Sequence, residues 1–83
     1  MSTLRVTVLD VWDEVSLPKH PGQTLADVKR AALEAARIPD DPAAFVLKFH
    51  GAELRDESRT VADAALPDNA ALIVLRRRRR AVR

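Results

Sequence analysis

The side chains in this 83-residue sequence that are able to do covalent or metal chemistry are few and badly spaced for it. His20 and His50 lie far apart with no third ligand near either, so neither a metal centre nor a base with its orienting partner assembles. His50 precedes Gly51 at a turn, an ordinary place for a surface imidazole. Ser58 lies between Glu57 and Arg59 and not on a strand-to-helix elbow of the Gly-x-Ser-x-Gly kind. Asp40 and Asp41 are flanked by Pro39 and Pro42, which marks the exit loop of a helix more than a carboxylate cluster. Gly22 and Gly51 are the only glycines, so no glycine-rich loop cradles a phosphate or dinucleotide, and without cysteine there is no thiolate site or disulfide. The expectation is a protein that is not an enzyme, with no cofactor, no metal and no small-molecule substrate.

What remains is charge and one aromatic ring. Of 14 basic residues, six (Arg76, Arg77, Arg78, Arg79, Arg80 and Arg83) fall in the last eight, so residues 1–75 carry 8 basic against 12 acidic residues, a net −4, and residues 76–83 carry +6. The chain divides into a domain over 1–75 and a basic, arginine-rich tail over 76–83 that is expected to lack fixed structure. Such a tail neutralises nucleic-acid phosphates, anionic lipid headgroups or an acidic partner without reading sequence, because no aromatic residues interleave with the arginines. The bland alternative is a solvated tail, or one that contacts the domain's own acidic surface. Trp12 stands alone within Asp10-Val11-Trp12-Asp13-Glu14. Tryptophan is enriched at binding hot spots, so the ring either contacts a partner or folds back over the end of the core.

The elements that must position these residues follow from periodicity. Leu4, Val6 and Val8 alternate with polar positions, and Val15-Ser16-Leu17 repeats the pattern, which predicts two strands in an antiparallel hairpin ended by Pro18. Thr24 followed by Asp27 is an N-cap pattern, and about 13 residues without Pro or Gly lead to Ile38-Pro39. On that helix Leu25, Val28, Ala32 and Ala36 form the apolar stripe with Leu33 at its shoulder. Lys29, Arg30, Glu34 and Arg37 are expected toward water, with Arg30 and Glu34 paired at i,i+4. Phe45, Leu47 and Phe49 predict a third strand, Ala52 to Leu54 a short return strand, and Asp56 to Ala65 an irregular stretch with one helical turn after Thr60. The uniformly apolar Ala71 to Leu75 predicts a final strand at the sheet centre beside the first. One helix over one face of a four- to five-stranded mixed sheet is a two-layer α+β fold. The longest uncharged run is seven residues, short of the ~20 needed to cross a bilayer, so a cytoplasmic location is expected.

That order, with its particular residues, resembles the ubiquitin-like β-grasp family over residues 4–76. The stretches that carry the resemblance are Thr24-Leu25-x-x-Val28-Lys29, Ile38-Pro39, Leu47-Lys48-Phe49-His50-Gly51-x-x-Leu54-x-Asp56, Arg59-Thr60-Val61-x-Asp63 and Leu72-x-Val74-Leu75-Arg76. The resemblance implies a module that binds proteins through the sheet face away from the helix, with contacts at Val11, Lys48 and Leu75. Ile73, on the same face, and Trp12 join them. Conjugated members of the family end in two glycines, whereas here the arm is arginine-rich and no glycine follows Gly51. The resemblance therefore implies a bacterial-type protein that acts without conjugation, in the manner of the small ubiquitin-like accessories of type VII secretion systems. A modifier conjugated through its C-terminus, and a polyanion binder acting through the tail, are the alternatives.

Overall fold

The alternating aliphatics become β1 (Thr3–Val8), whose inward residues Leu4, Val6 and Val8 are fully buried. β2 (Asp13–Pro18) pairs antiparallel with it, Val6 opposite Val15 and Val8 opposite Asp13. The rest of the chain follows as α1 (Leu25–Ala35), a 3₁₀ turn (Pro42–Ala44), β3 (Phe45–Phe49), β4 (Ala52–Glu53) and β5 (Ala70–Arg76). The structure, a computed structural model, describes residues 2–77. The remainder of the basic tail, Arg78, Arg79, Arg80 and Arg83 included, lies outside the described residues.

The five strands form one mixed sheet in the order β2-β1-β5-β3-β4, in which β1 and β5 run parallel and the other pairs are antiparallel. α1 packs across one face, over Leu4, Val6, Val8, Leu47, Leu72 and Val74. The fold is α+β and β-grasp-like. β5 is buried at Ala70, Leu72 and Val74 and exposed at Ala71 and Ile73, so the strand expected at the centre does lie there but has one covered and one open face. It also runs one residue past Leu75, because Arg76 still pairs with Phe45 of β3.

Local chemistry explains the helix. The Thr24 hydroxyl accepts from the Asp27 N–H at 3.1 Å, and the Asp27 carboxylate accepts from the Thr24 N–H at 3.4 Å, a complete capping box. Two further free N–H groups of the first turn, those of Leu25 and Ala26, donate at 2.9 Å to the carbonyls of Arg59 and Glu57, which ties the irregular 55–65 stretch to the helix start. At the other end the Ile38 N–H reaches the Leu33 carbonyl and the Arg37 N–H that of Glu34, with Arg37 left-handed at φ +62°. This is a Schellman closure with arginine where glycine is usual, and it ends the helix at 11 residues and not about 13. The predicted turn after Thr60 is present, closed by the Ala64 N–H on the Thr60 carbonyl.

Two expectations for α1 fail. Arg30 pairs with Asp27 at 3.1 Å and not with Glu34, because the capping aspartate already lies on its side of the helix. Lys29, expected in water, is 3% exposed. Its ammonium donates to the Phe45 carbonyl at 2.9 Å and meets the Glu57 carboxylate at 2.8 Å, so a cation on the core-facing stripe is fully partnered. Lys29 lies one turn from both Leu25 and Leu33, so its position belongs to the apolar face even though its type does not.

Candidate functional site

Because α1 takes one face of the sheet, the side chains of alternate parity are left on the other. Strand register places them in rows: Glu14 of β2 lies opposite Thr7 of β1, Thr7 opposite Ile73 of β5, Ile73 opposite Lys48 of β3, and Lys48 opposite Glu53 of β4. A second row holds Leu75 opposite Val46. Three of the expected contact residues, Lys48, Ile73 and Leu75, thus share one surface. Ile73 is 38% exposed, whereas Leu75 and Lys48 are half-buried and Val46 is nearly covered.

Beside Ile73 the surface sinks into an open groove of about 890 Å³, with Val46 and Leu75 in its floor and Lys48, Glu53, Arg76 and Arg77 among its lining. Three of those four charges are cations, but they are not equally free. Arg76 is held by Asp10 (Nε to Oδ2, 3.1 Å) and by Asp40 (Nη1 to Oδ2, 3.0 Å), and its guanidinium carbon sits 4.7 Å from the Phe45 ring centroid. The hydrogen bonds to Asp10, then those to Asp40, raise its pKa further above the ordinary arginine value. The Arg77 N–H donates to the Ala44 carbonyl at 2.7 Å and its side chain approaches Glu53 at 4.0 Å. Lys48 makes no ion pair or hydrogen bond among the described residues, since Glu53 across the ladder turns to Arg55 and Arg77 instead. A carboxylate from outside has one unclaimed ammonium to meet here, beside an apolar floor.

Val11 and Trp12 form a separate exposed cluster at the tip of the β1–β2 hairpin, 43% and 79% exposed. Trp12 does not fold back over the core. The tip stands at the end of the sheet where the Leu9 N–H donates to the Val74 carbonyl at 2.9 Å, next to the last residues of β5. Elsewhere His20 is exposed, and the other candidate chemical residues have structural partners. Asp41 caps the 3₁₀ turn through the Ala43 N–H, Ser58 donates to Asp56, and His50 stacks on Phe49 with centroids 4.0 Å apart. Among the described residues no three of His, Cys, Asp and Glu gather as a metal site, and no helix is long and apolar enough to cross a membrane.

The fold and this surface define a small β-grasp-like module with one helix-covered face and one open face. No model of a known protein family matches the chain, and no curated protein matches it either, so the class rests on the architecture.

Proposed function

We propose that this chain is a non-catalytic ubiquitin-like module that binds protein partners non-covalently through the open face of its sheet. The observation that carries the reading is the combination on that face of exposed Ile73, the Val46–Leu75 floor and a Lys48 ammonium unpaired among the described residues, with Val11 and Trp12 exposed at the adjoining tip. Aromatic and aliphatic anchors supply the affinity of such a surface, and a single unpartnered charge supplies selectivity. The preferred partner presents an apolar side chain for the floor and a carboxylate for Lys48. Bacterial origin, a cytoplasmic setting and an accessory role beside a type VII secretion system are the specific form of this reading, and they come from the family resemblance. The polyanion alternative falls mainly to Arg78, Arg79, Arg80 and Arg83, because Arg76 and Arg77 already contact the body.

Site-specific photocrosslinking tests the reading. A photoreactive residue at position 73 is expected to give an adduct that unlabelled wild-type protein competes away and an Ile73→Asp protein does not, while one at Glu34 on the outer helix surface gives none. Equal adducts from both positions would defeat the proposal. So would an adduct that forms without light through the chain's own C-terminus, the mark of a conjugated modifier.

A further inference from the structure

The groove beside Ile73 and the tip of the β1–β2 hairpin have matching chemistry, and every copy of the chain carries both. The groove of about 890 Å³ has more room than an indole needs, over the apolar floor of Val46 and Leu75. Its lining is cationic in balance, with Lys48, Arg76 and Arg77 against Glu53, and Lys48 has no ion pair among the described residues. The tip is the reverse. Trp12 and Val11, at 79% and 43%, are the most exposed large hydrophobic side chains among the described residues. Arg76 holds Asp10 and Arg5 approaches Glu14 at 3.4 Å, whereas Asp13 makes no ion pair among the described residues. Trp12 also lies in the left-handed region at φ +55°, a costly conformation for a bulky aromatic residue, and no packing among the described residues offsets it.

Trp12 is too exposed to be filling the groove of its own chain, although the two features are neighbours. β1 and β5 run parallel with Val8 opposite Val74, so the tip and the Leu75–Arg77 side of the groove share one end of the sheet. Arg76 lines the groove and donates to Asp10 of the tip at 3.1 Å. Adjacent, complementary features on one surface allow two copies to exchange them about a two-fold axis, so that each contact is made twice. We infer that the occupant of the groove is a second copy of this chain. In this two-fold dimer Trp12 of each copy lies on the Val46–Leu75 floor of the other, and Asp13 pairs with Lys48.

The chemistry fits that occupant. An indole laid on an aliphatic floor removes a large apolar surface from water, and tryptophan is enriched in such anchors. The Asp13–Lys48 pair adds a charge-assisted hydrogen bond. Charge also selects the arrangement, because groove against groove would oppose cations and tip against tip would oppose carboxylates. The contact is small, so its Kd is expected to be on the order of 100 μM and dilute protein is monomeric. A groove filled in this way is closed to other proteins, so a partner for the open face binds the monomer and draws the dimer apart by mass action. That competition rests on the binding reading above, but the dimer itself does not.

Sedimentation equilibrium of the purified full chain, from micromolar to millimolar concentration, tests the inference. The mass is expected to rise from 9.2 kDa to twice that value and to stop there. Trp12 is the only tryptophan and the chain has no tyrosine, so its emission is expected to move to shorter wavelength over the same concentrations. Asp13→Lys and Lys48→Glu each set like charges together at both contacts and are expected to weaken the dimer about tenfold or more. An equal mixture of these two variants restores opposite charges at both contacts and is expected to dimerise like wild type. Both substitutions lie on the exposed or half-buried surface, and an unchanged urea midpoint in dilute solution shows that each variant folds. Wild-type protein that stays monomeric at millimolar concentration would overturn the inference. So would growth past the dimer, a dimer indifferent to both substitutions, or a mixture that stays monomeric. These measurements use the chain alone, so their failure leaves the partner reading standing. In the crosslinking experiment at position 73, an adduct of twice the chain's mass belongs to the dimer and one of any other mass to a foreign partner.

Discussion

Lys29 and Lys48 carry the same ammonium on opposite faces of one sheet, and the two faces treat it differently. On the covered face Lys29 is 3% exposed and its charge is met by the Glu57 carboxylate and the Phe45 carbonyl. On the open face Lys48 stands between Ile73 and Glu53 in the strand ladder, yet no group of the described residues takes its proton donors. Removing a lysine from water costs several kcal/mol unless its partners replace the solvent, so the core admits this cation only with every bond in place. Half in water, Lys48 incurs no such penalty and needs no partner to be stable. The open face is therefore complete as a surface of a folded domain but unsaturated as a chemical surface.

The sharpest way to break this comparison is to truncate both lysines. Lys29→Ala leaves Glu57 and the Phe45 carbonyl without their donor and is expected to cost about 3–5 kcal/mol in urea unfolding. Lys48→Ala is expected to stay within about 0.5 kcal/mol of wild type. Should Lys29→Ala fail to fold, Lys29→Met combined with Glu57→Leu removes both charges and keeps the volume, and it is expected to recover most of the loss. Equal costs at the two lysines would mean that the faces do not differ as described.

Lys29 also shows where sequence ceases to be a sufficient guide. The strands and the capping box are legible because their signals are local: alternation in β1, and Thr24 three residues before Asp27. The central pairing of β1 with β5 follows from their being the most apolar strands. Residue type misplaces Lys29. Its spacing from Leu25 and Leu33 puts it on the stripe, but the partner that makes burial tolerable, Glu57, is 28 positions away and gives no local sign. Arg76 is a similar case, since its partners Asp10 and Asp40 come from a hairpin turn and a helix exit that only the folded sheet brings together. Of the candidate contact surface, Lys48, Ile73 and Leu75 are legible through strand parity. The exposure of Trp12 is not, because it depends on which turn residue goes left-handed.

Trp12 extends the comparison from two faces to one edge, and here the expected effect is smaller and of opposite sign. Glycine adopts φ +55° without steric penalty, so Trp12→Gly is expected to stabilise the domain by about 1 kcal/mol in urea unfolding. A residue that contributed to the core would behave the other way, with a loss of about 3–5 kcal/mol on truncation. Stabilisation on removing the ring would establish that Trp12 is not kept for folding.

Acid provides the mildest test, and it too separates the faces. Asp27 has its pKa lowered from the ordinary 3.8 by hydrogen bonds from Thr24 and by Arg30, and Asp56 from the same value by the hydroxyl and N–H of Ser58. Asp27 lies in the first turn of α1, and Asp56 opens the 56–59 turn whose carbonyls receive the helix's free N–H groups. Both therefore act at the helix start, away from the open face. A carboxylate whose folded pKa lies below its unfolded value binds fewer protons in the native state, so stability falls as pH falls. The contribution is complete well above pH 3.8 and is lost as the pH drops through the lowered folded values. Hydrogen exchange at about pH 5 and about pH 3, corrected for the intrinsic rates, is expected to show loss of protection first at the Asp27 and Ser58 amides, since these two pH values bracket the ordinary carboxylate range. The Ile73 amide, in the middle of the β1–β5–β3 ladder, is expected to keep its protection until global unfolding. Simultaneous loss at all three would place the acid-sensitive groups elsewhere than at the helix start.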